Sequence, residues 1–314
     1  MPSKKSHYFN LSNWGAINVF GPDSDIFLQN LLTVSVDDIK QNSQINLLTL
    51  GGLCNSKGRL LSTFQIIKDL KRSENSYLLY LSKDLVSEVI DELKKYKFRS
   101  KVSIENLIDT YQVVGVISAL EFNHLEKICS KPIHLMPDNF RLSTQKMELH
   151  TAKFYLTLAA TNIDVIDYEK SQTEFDLNEV LSGIPRLTKA TSLKFVPQMI
   201  NLDLLEGVNF KKGCYPGQEI VARTQYLGSI KRRLFLIESY DSSKLAIGED
   251  LSDAEGNVVG NVVLSAFDEI SGKQYSQVEL ALSSIHEKIY IKDSLNNLRN
   301  LAIRFLSQPP VVKD

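Results

Sequence analysis

Residues 83–98 carry apolar side chains at Leu85, Val86, Val89, Ile90, Leu93 and Tyr96, with charged residues between them. That spacing places the apolar groups on one helical face, so the stretch predicts an amphipathic helix packed on a core. Elsewhere the period shortens. Residues 14–20, 77–82, 113–118 and 153–160 are short apolar runs that read as strands. Residues 45–54 and 59–68 are two further β-rich runs around Asn55-Ser-Lys-Gly58, a turn cluster that predicts a hairpin. Gly21-Pro-Asp-Ser24 opens a helix expected to reach residue 32, with Ile26, Phe27, Leu28, Leu31 and Leu32 inward. Another helix is expected over 120–129, with Cys129 as a packing residue on its apolar side. Thr173-Glu-Phe-Asp176 has the spacing of a capping box and predicts a helix to Ser182, ended by Gly183 and followed by Pro185.

From Arg232 onward the texture changes to short β-runs at 234–238, 258–266, 277–282, 288–291 and 301–305, separated by turns such as Glu255-Gly256-Asn257. That pattern predicts a small antiparallel barrel or sandwich. The alternation of strands, helices and hairpins before it predicts α+β subdomains rather than a doubly wound sheet.

Composition narrows the function classes. The chain has 314 residues, 43% of them hydrophobic and 23% charged, which suits a globular protein of two or three domains. A net charge of −1 gives no reason to expect direct nucleic-acid binding. Cys54, Cys129 and Cys214 are few, odd in number and far apart, which argues for a reducing cytoplasm and against a disulfide framework. None forms a C-x-x-C pair, so no metal site is expected. The N-terminal charges lack an apolar run after them, no stretch is long enough to span a membrane, and no dinucleotide or P-loop pattern appears. Lys231-Arg232-Arg233 reads as a solvated surface run, with a phosphate or polyglutamate contact as its functional alternative.

The chemistry concentrates in residues 209–228. Pro216-Gly217 is a type II turn signature, with proline fixing φ at one position and glycine supplying positive φ at the next. Gly213 is expected to permit a close backbone approach or a turn. Residues 218–226 predict a short helix with Glu219 in its first turn and Gly228 as its stop. Cys214 thus lies ahead of a helix N-terminus with Lys211, Lys212 and Arg223 near in sequence, a setting that favours thiolate. A small buried side chain in a tight loop remains the plain alternative.

Lys212-Gly-Cys-Tyr-Pro-Gly-Gln-Glu219 resembles the K-G-C-Y-x-G-Q-E signature of the YgfZ-type folate-binding proteins, relatives of the aminomethyltransferase (T-protein) of the glycine cleavage system. Ile220-Val-Ala-Arg223 continues the match. Further similar elements occur in the same order: Gly21-Pro-Asp23 to Gln29, Cys54-Asn-Ser-Lys-Gly-Arg59, Gly183-Ile-Pro185 and Phe195-Val-Pro-Gln-Met-Ile-Asn-Leu202. The resemblance implies two interleaved α+β subdomains over 1–230 and a β-barrel over 231–314, arranged as a ring around a central folate pocket.

It also implies a tetrahydrofolate-binding accessory factor for the assembly or repair of iron–sulfur enzymes that act in tRNA modification. Tetrahydrofolate or a one-carbon derivative is the expected cofactor, iron–sulfur assembly or client proteins are the expected partners, and a monomer is expected. Trp14 is a candidate to stack on the pterin, and Phe175 stands where some relatives have a second tryptophan. Tyr215, Gln218 and Glu219 come over with the motif, and Asn201 and Gln198 are polar candidates for pterin nitrogens. For Gln198 and Asn201 the alternative is that they satisfy loop backbone. Cys214 is the expected working residue, assisted by Lys212 and Arg223. Where the aminomethyltransferases carry paired aspartates, this chain has Ser62-Thr63, and a hydroxyl is no general base near neutral pH without help. Aminomethyl transfer is therefore in doubt and a folate-dependent transferase ranks below the accessory role. A protein-interaction scaffold is the third reading.

Overall fold

The computed structural model describes residues 7–44, 47–70, 75–118, 134–135, 153–160, 172–240, 245–292 and 297–306. They form a mixed α+β molecule with three antiparallel sheets. In chain order the elements are β1 (His7–Asn10), β2 (Trp14–Phe20), α1 (Ser24–Gln29), α2 (Val36–Gln44), β3 (Thr49–Cys54), β4 (Leu60–Lys68), β5 (Ser76–Ser82), α3 (Val86–Lys97), β6 (Ser103–Asn106) and β7 (Tyr111–Ser118). Then come β8 (His134–Leu135), β9 (Lys153–Ala160), α4 (Gln172–Ser182) and α5 (Gln218–Tyr226). The last part holds β10 (Arg232–Ser239), β11 (Asp250–Ser252), β12 (Val258–Asp268), β13 (Lys273–Ala281), β14 (Tyr290–Lys292), β15 (Leu298–Asn300) and β16 (Ile303–Phe305).

The first sheet runs β1-β7-β9-β8 and the second β3-β4-β5-β2-β6. All strands of the second sheet fall, in sequence, between β1 and β7 of the first. That sheet is covered on both faces, which is why β3 reads Thr-Leu-Gly-Gly-Leu-Cys with all six residues buried rather than alternating. On one face Gly51 packs against Val34, and on the other Gly52 packs against Leu60 and Leu202. The irregular segment between α4 and α5 thus lies on the face opposite the N-terminal helices, and both faces feed one continuous apolar core.

The third sheet has the order β15-β14-β11-β12-β13-β10-β16. Its edge strands β15 and β16 are consecutive in the chain, linked only by Leu301 and Ala302, so the sheet curls until its two ends meet. Leu301 N–H donates to Ile289 (2.8 Å), and the Ala302 carbonyl accepts from Tyr240 (3.2 Å). Because this last stretch runs straight on, it pairs first with β14 and then with β10, and β15 and β16 do not pair with each other. The expected barrel is therefore not closed by a ladder among the described residues.

Other expectations shift at their ends. The first helix stops at Gln29, a turn short of residue 32, because the chain must bring Thr33 to the edge of β3, where its N–H donates to Gly52 (2.9 Å). Thr173 lies inside α4, one residue after its start, so the helix begins ahead of the expected capping box. Gly183 does stop α4, with φ 75°. The helix expected at 120–129, with Cys129, lies outside the described residues.

Candidate functional site

The loop before α5 is built as its residues dictate. Gly217 has φ 77° and ψ 4°, and Gln218 N–H donates to the Tyr215 carbonyl (3.1 Å). These are the dihedrals and closing hydrogen bond of a type II turn over Tyr215–Gln218. A Cβ at Gly217 would lie 2.3 Å from the Asn55 carbonyl and 2.5 Å from the Gly58 backbone. The glycine is therefore needed twice, for its φ and for the contact that locks this loop onto the β3–β4 turn. That turn is organised by Asn55, whose side-chain oxygen accepts from Lys57 and Arg59 N–H (3.0 Å each). Gly213 has only open space where a Cβ would stand, so no close approach requires it, and Gly228 directly follows the helix's C-cap Leu227, as expected of a stop, without a left-handed φ. The helix runs over residues 218–226 and ends by losing its carbonyl partners after Leu227.

Lys212 does not stand free beside the thiol. Its Nζ donates to the Gln29 and Leu32 carbonyls at the end of α1 and lies 5.1 Å from the Tyr215 ring centre. Burial pushes this ammonium down to about 8. Tyr215 is buried beneath it, and Gln218 Nε2 reaches the Lys212 carbonyl (3.4 Å). Lys212, Tyr215 and Gln218 thus hold the loop, while Cys214, Glu219 and Arg223 face solvent. Cys54 is the opposite case. It is buried in the core, and desolvation pushes its thiol up to about 12.

A second constellation surrounds Trp14. Its indole is buried on β2, and the Arg186 guanidinium lies 4.8 Å from its ring centre. Arg186 grips Glu179 of α4 through two bonds, Nε to Oε1 (2.6 Å) and Nη2 to Oε2 (2.9 Å), and donates to Ser82 Oγ (2.6 Å). Burial pushes the Glu179 carboxyl up and Arg186 pulls it back. Asp176, one turn earlier, is also raised by burial, against bonds from Asn13 and Gln172. Trp14, Thr63, Gln65, Tyr80, Glu179 and Arg186 line a narrow cavity of about 10 Å³, room for one water. Trp14 Nε1 and Gln65 Oε1 are buried there without a hydrogen-bond partner. Thr63 Oγ1 donates to Pro185 and accepts from Leu187 N–H, which fixes the segment that carries Arg186.

The structure does not bring all the sequence candidates together. Leu60 of β4 adjoins the turn locked to Gly217, whereas Gln65 in the Trp14 cavity is five residues further along the strand. At ~3.3 Å per residue, Thr63 and Gln65, which both line the cavity, lie about 10 and 17 Å along β4 from Leu60. Phe175 belongs to neither; it is a core residue, tilted against Phe9 (5.8 Å between ring centres, 55°) and filling the space left by Gly115. Asn201 bonds both backbone groups of Leu234, and Gln198 donates to the Val221 carbonyl (2.8 Å), so both tie loop backbone. Arg233 is buried against Asp203 and Arg232 pairs with Glu279, so two of the three cations at 231–233 are structural. Glu179, Arg186 and Gln65 were missed from sequence. One signal for them existed, since Glu179 interrupts the apolar side of a helix and Arg186 follows the Gly183-Ile-Pro185 element directly.

Curated bacterial proteins match this chain over most of its length. The tRNA-modifying protein YgfZ of Colwellia psychrerythraea is 32% identical over 249 residues, which cover 75% of this chain and 72% of that protein. The chain belongs to the YgfZ family. The YgfZ of Photobacterium profundum is 30% identical over 260 residues, covering 79% and 74% of the two chains. No protein-family model matches the chain. Among solved structures, the glycine cleavage system aminomethyltransferase T from Bartonella henselae superposes with a TM-score of 0.63 over 98% of this chain and 86% of its own. At 13% identity that likeness establishes the fold alone. Among the described residues no helix is long and apolar enough to cross a membrane, and no group of three metal-ligating side chains occurs.

Proposed function

We propose that this YgfZ-family protein binds tetrahydrofolate or a one-carbon derivative at the Trp14 cavity and acts as an accessory factor for iron–sulfur enzymes of tRNA modification. The observation that carries the binding reading is the buried polar group around Trp14. An indole face, a carboxylate on Glu179, the unpartnered Gln65 Oε1 and the unpartnered Trp14 Nε1 are the complement of a flat ring edged with amino and carbonyl groups. The residues present fit a pterin chemically, but the space does not yet hold one. Arg186 occupies the indole face, so binding requires Arg186 to swing aside while Glu179 turns from its guanidinium to the ligand's amino edge. Bound folate supplies the one-carbon chemistry; the protein orients the ring and keeps water from it.

Cys214 is the working residue of this proposal, and its exposure supports a role towards a partner protein or its cluster. Cys214 is exposed and does not line the cavity in which Trp14 is buried, which speaks against direct attack on a pterin held there. Lys212 and Arg223 serve the thiol by position only: one clamps the loop, the other stands exposed on α5. A second reading, a folate-dependent transferase, is favoured by one observation. Asp176 and Glu179 are buried carboxylates on α4 beside the cavity, although Ser62 and Thr63 supply none. Formation of methylene-tetrahydrofolate from an amine donor would reveal it.

The test is a tetrahydrofolate titration read by fluorescence of Trp14, the only tryptophan. Saturable quenching is expected in the wild type and, at the same midpoint, in Cys214→Ala. Absence of quenching in the wild type would reject the folate reading and leave a protein-interaction scaffold. Loss in Cys214→Ala alone would place the thiol inside the binding site.

A further inference from the structure

One face of α5 stands uncovered beside Cys214. Ile220, Arg223 and Leu227 recur at helical spacing and form one stripe, with Glu219 at its edge. Ile220 is 41% exposed and Leu227 85%. The stripe continues across the locked turn, because the Ile220 side chain lies 3.0 Å from the position a Cβ on Gly58 would take. Gly58 is flanked by the exposed cations Lys57 and Arg59. Arg59 in turn donates to the Lys194 carbonyl, next to Leu193. Leu193 is 42% exposed and has φ 61°, a left-handed conformation that costs a branched aliphatic residue energy and returns no burial.

Charge on this surface is one-sided. Lys57, Arg59 and Arg223 have no acidic partner among the described residues, whereas Lys40, Lys189 and Arg304 elsewhere are each paired. Glu219 is the only acid on the stripe. Ile220 and Leu227 offer no flat face for a base to stack on, and the one exposed ring of the helix, Tyr226, stands at the Glu219 edge in an edge contact with Phe210 (5.8 Å), so the apolar stripe fits a protein better than a nucleic acid.

We propose that the α5 stripe, the β3–β4 turn and Leu193 form a docking surface for a protein partner, entered by a segment that combines acidic with leucine-like side chains. Such a segment would cover Ile220, Leu227 and Leu193, neutralise the three cations, and lie within reach of Cys214. The proposal does not rest on folate binding, which is assigned to the interior cavity at the middle of β4.

The probe is a short fluorescent peptide that repeats glutamate and leucine at helical spacing, titrated by anisotropy at low salt. Its counterpart with lysine for glutamate and a polyuridylate strand serve as comparisons. The glutamate peptide is expected to bind and the lysine peptide not. Arg59→Glu and Arg223→Glu should each weaken binding about fivefold, and Leu227→Ser about tenfold. Leu227→Ser, at a side chain 85% exposed, should keep the wild-type melting temperature and the wild-type Trp14 response to tetrahydrofolate. The proposal is overturned if the glutamate peptide fails to bind, or if the lysine peptide binds equally. Polyuridylate binding more tightly than the peptide, and unchanged by Leu227→Ser, would overturn it in favour of a nucleic-acid surface.

Discussion

Replacing Arg186 by leucine keeps an aliphatic contact with Trp14 and removes the guanidinium that pairs with Glu179. The Arg186 and Glu179 side chains are 7% and 3% exposed, so the Glu179 carboxylate would be left as an uncompensated buried charge. Such losses run at about 3–5 kcal/mol. At ~2–4 °C per kcal/mol for a chain of this size class, the melting temperature should fall by roughly 6–20 °C. The deficit should also depend on pH. Burial already raises the Glu179 carboxyl, and without Arg186 it rises further. The folded variant then holds a proton that the unfolded chain releases above about 4.3. Because the native state binds more protons, its stability falls as pH rises through that window, by at most ~1.4 kcal/mol per unit. Urea unfolding followed by circular dichroism near pH 5 and near pH 7.5 reads both effects. The variant should lie closer to the wild type at the acidic pH, and Glu179→Gln added to Arg186→Leu should recover part of the loss at the higher one. An Arg186→Leu protein within about 1 kcal/mol of the wild type at both pH values would refute the reasoning, since it would mean that the carboxylate is solvated in the folded state.

Two other outcomes are expected. Gly217→Ala combines a positive φ of 77° with a Cβ 2.3 Å from the Asn55 carbonyl, so the loop and the β3–β4 turn must part. A loss of about 2–4 kcal/mol with faster amide exchange at Gly58 and Gln218 should follow, and unchanged exchange there would contradict the interlock. Lys212, lowered by burial to about 8, takes up a proton less readily folded than unfolded. The stability of wild type relative to Lys212→Met should therefore rise between about pH 8 and 10.5 and be flat below that, as paired denaturation curves would show.

What was legible in the sequence was local. The strand at 153–160 and the helix at 218–226 appear with the expected bounds, because an apolar run and a proline–glycine turn each carry their own conformational signal. The loop of Tyr215 and Gly217 was readable for the same reason, and its motif pointed to the family that the relatives confirm. Elements that live on borrowed stability were not readable. Strands β1, β6, β11 and β15 have three or four residues each, and α2 offers only Val36, Ile39 and Ser43 to the core; all owe their form to the sheets beside them. Gly213 shows the converse error, a glycine that punctuates the sequence where nothing in the fold approaches it. Barrel closure also lay beyond sequence, since it depends on which edge the final strand meets. Above all, the tertiary structure decided that the candidates divide. The chain places Cys214 on a surface loop and Trp14 in the interior, and it completes the interior site with Glu179 and Arg186, residues adjacent only after folding. A sequence specifies turns and periodicities through neighbours along the chain; which buried charges meet is settled by packing, where each can be neutralised only by the other.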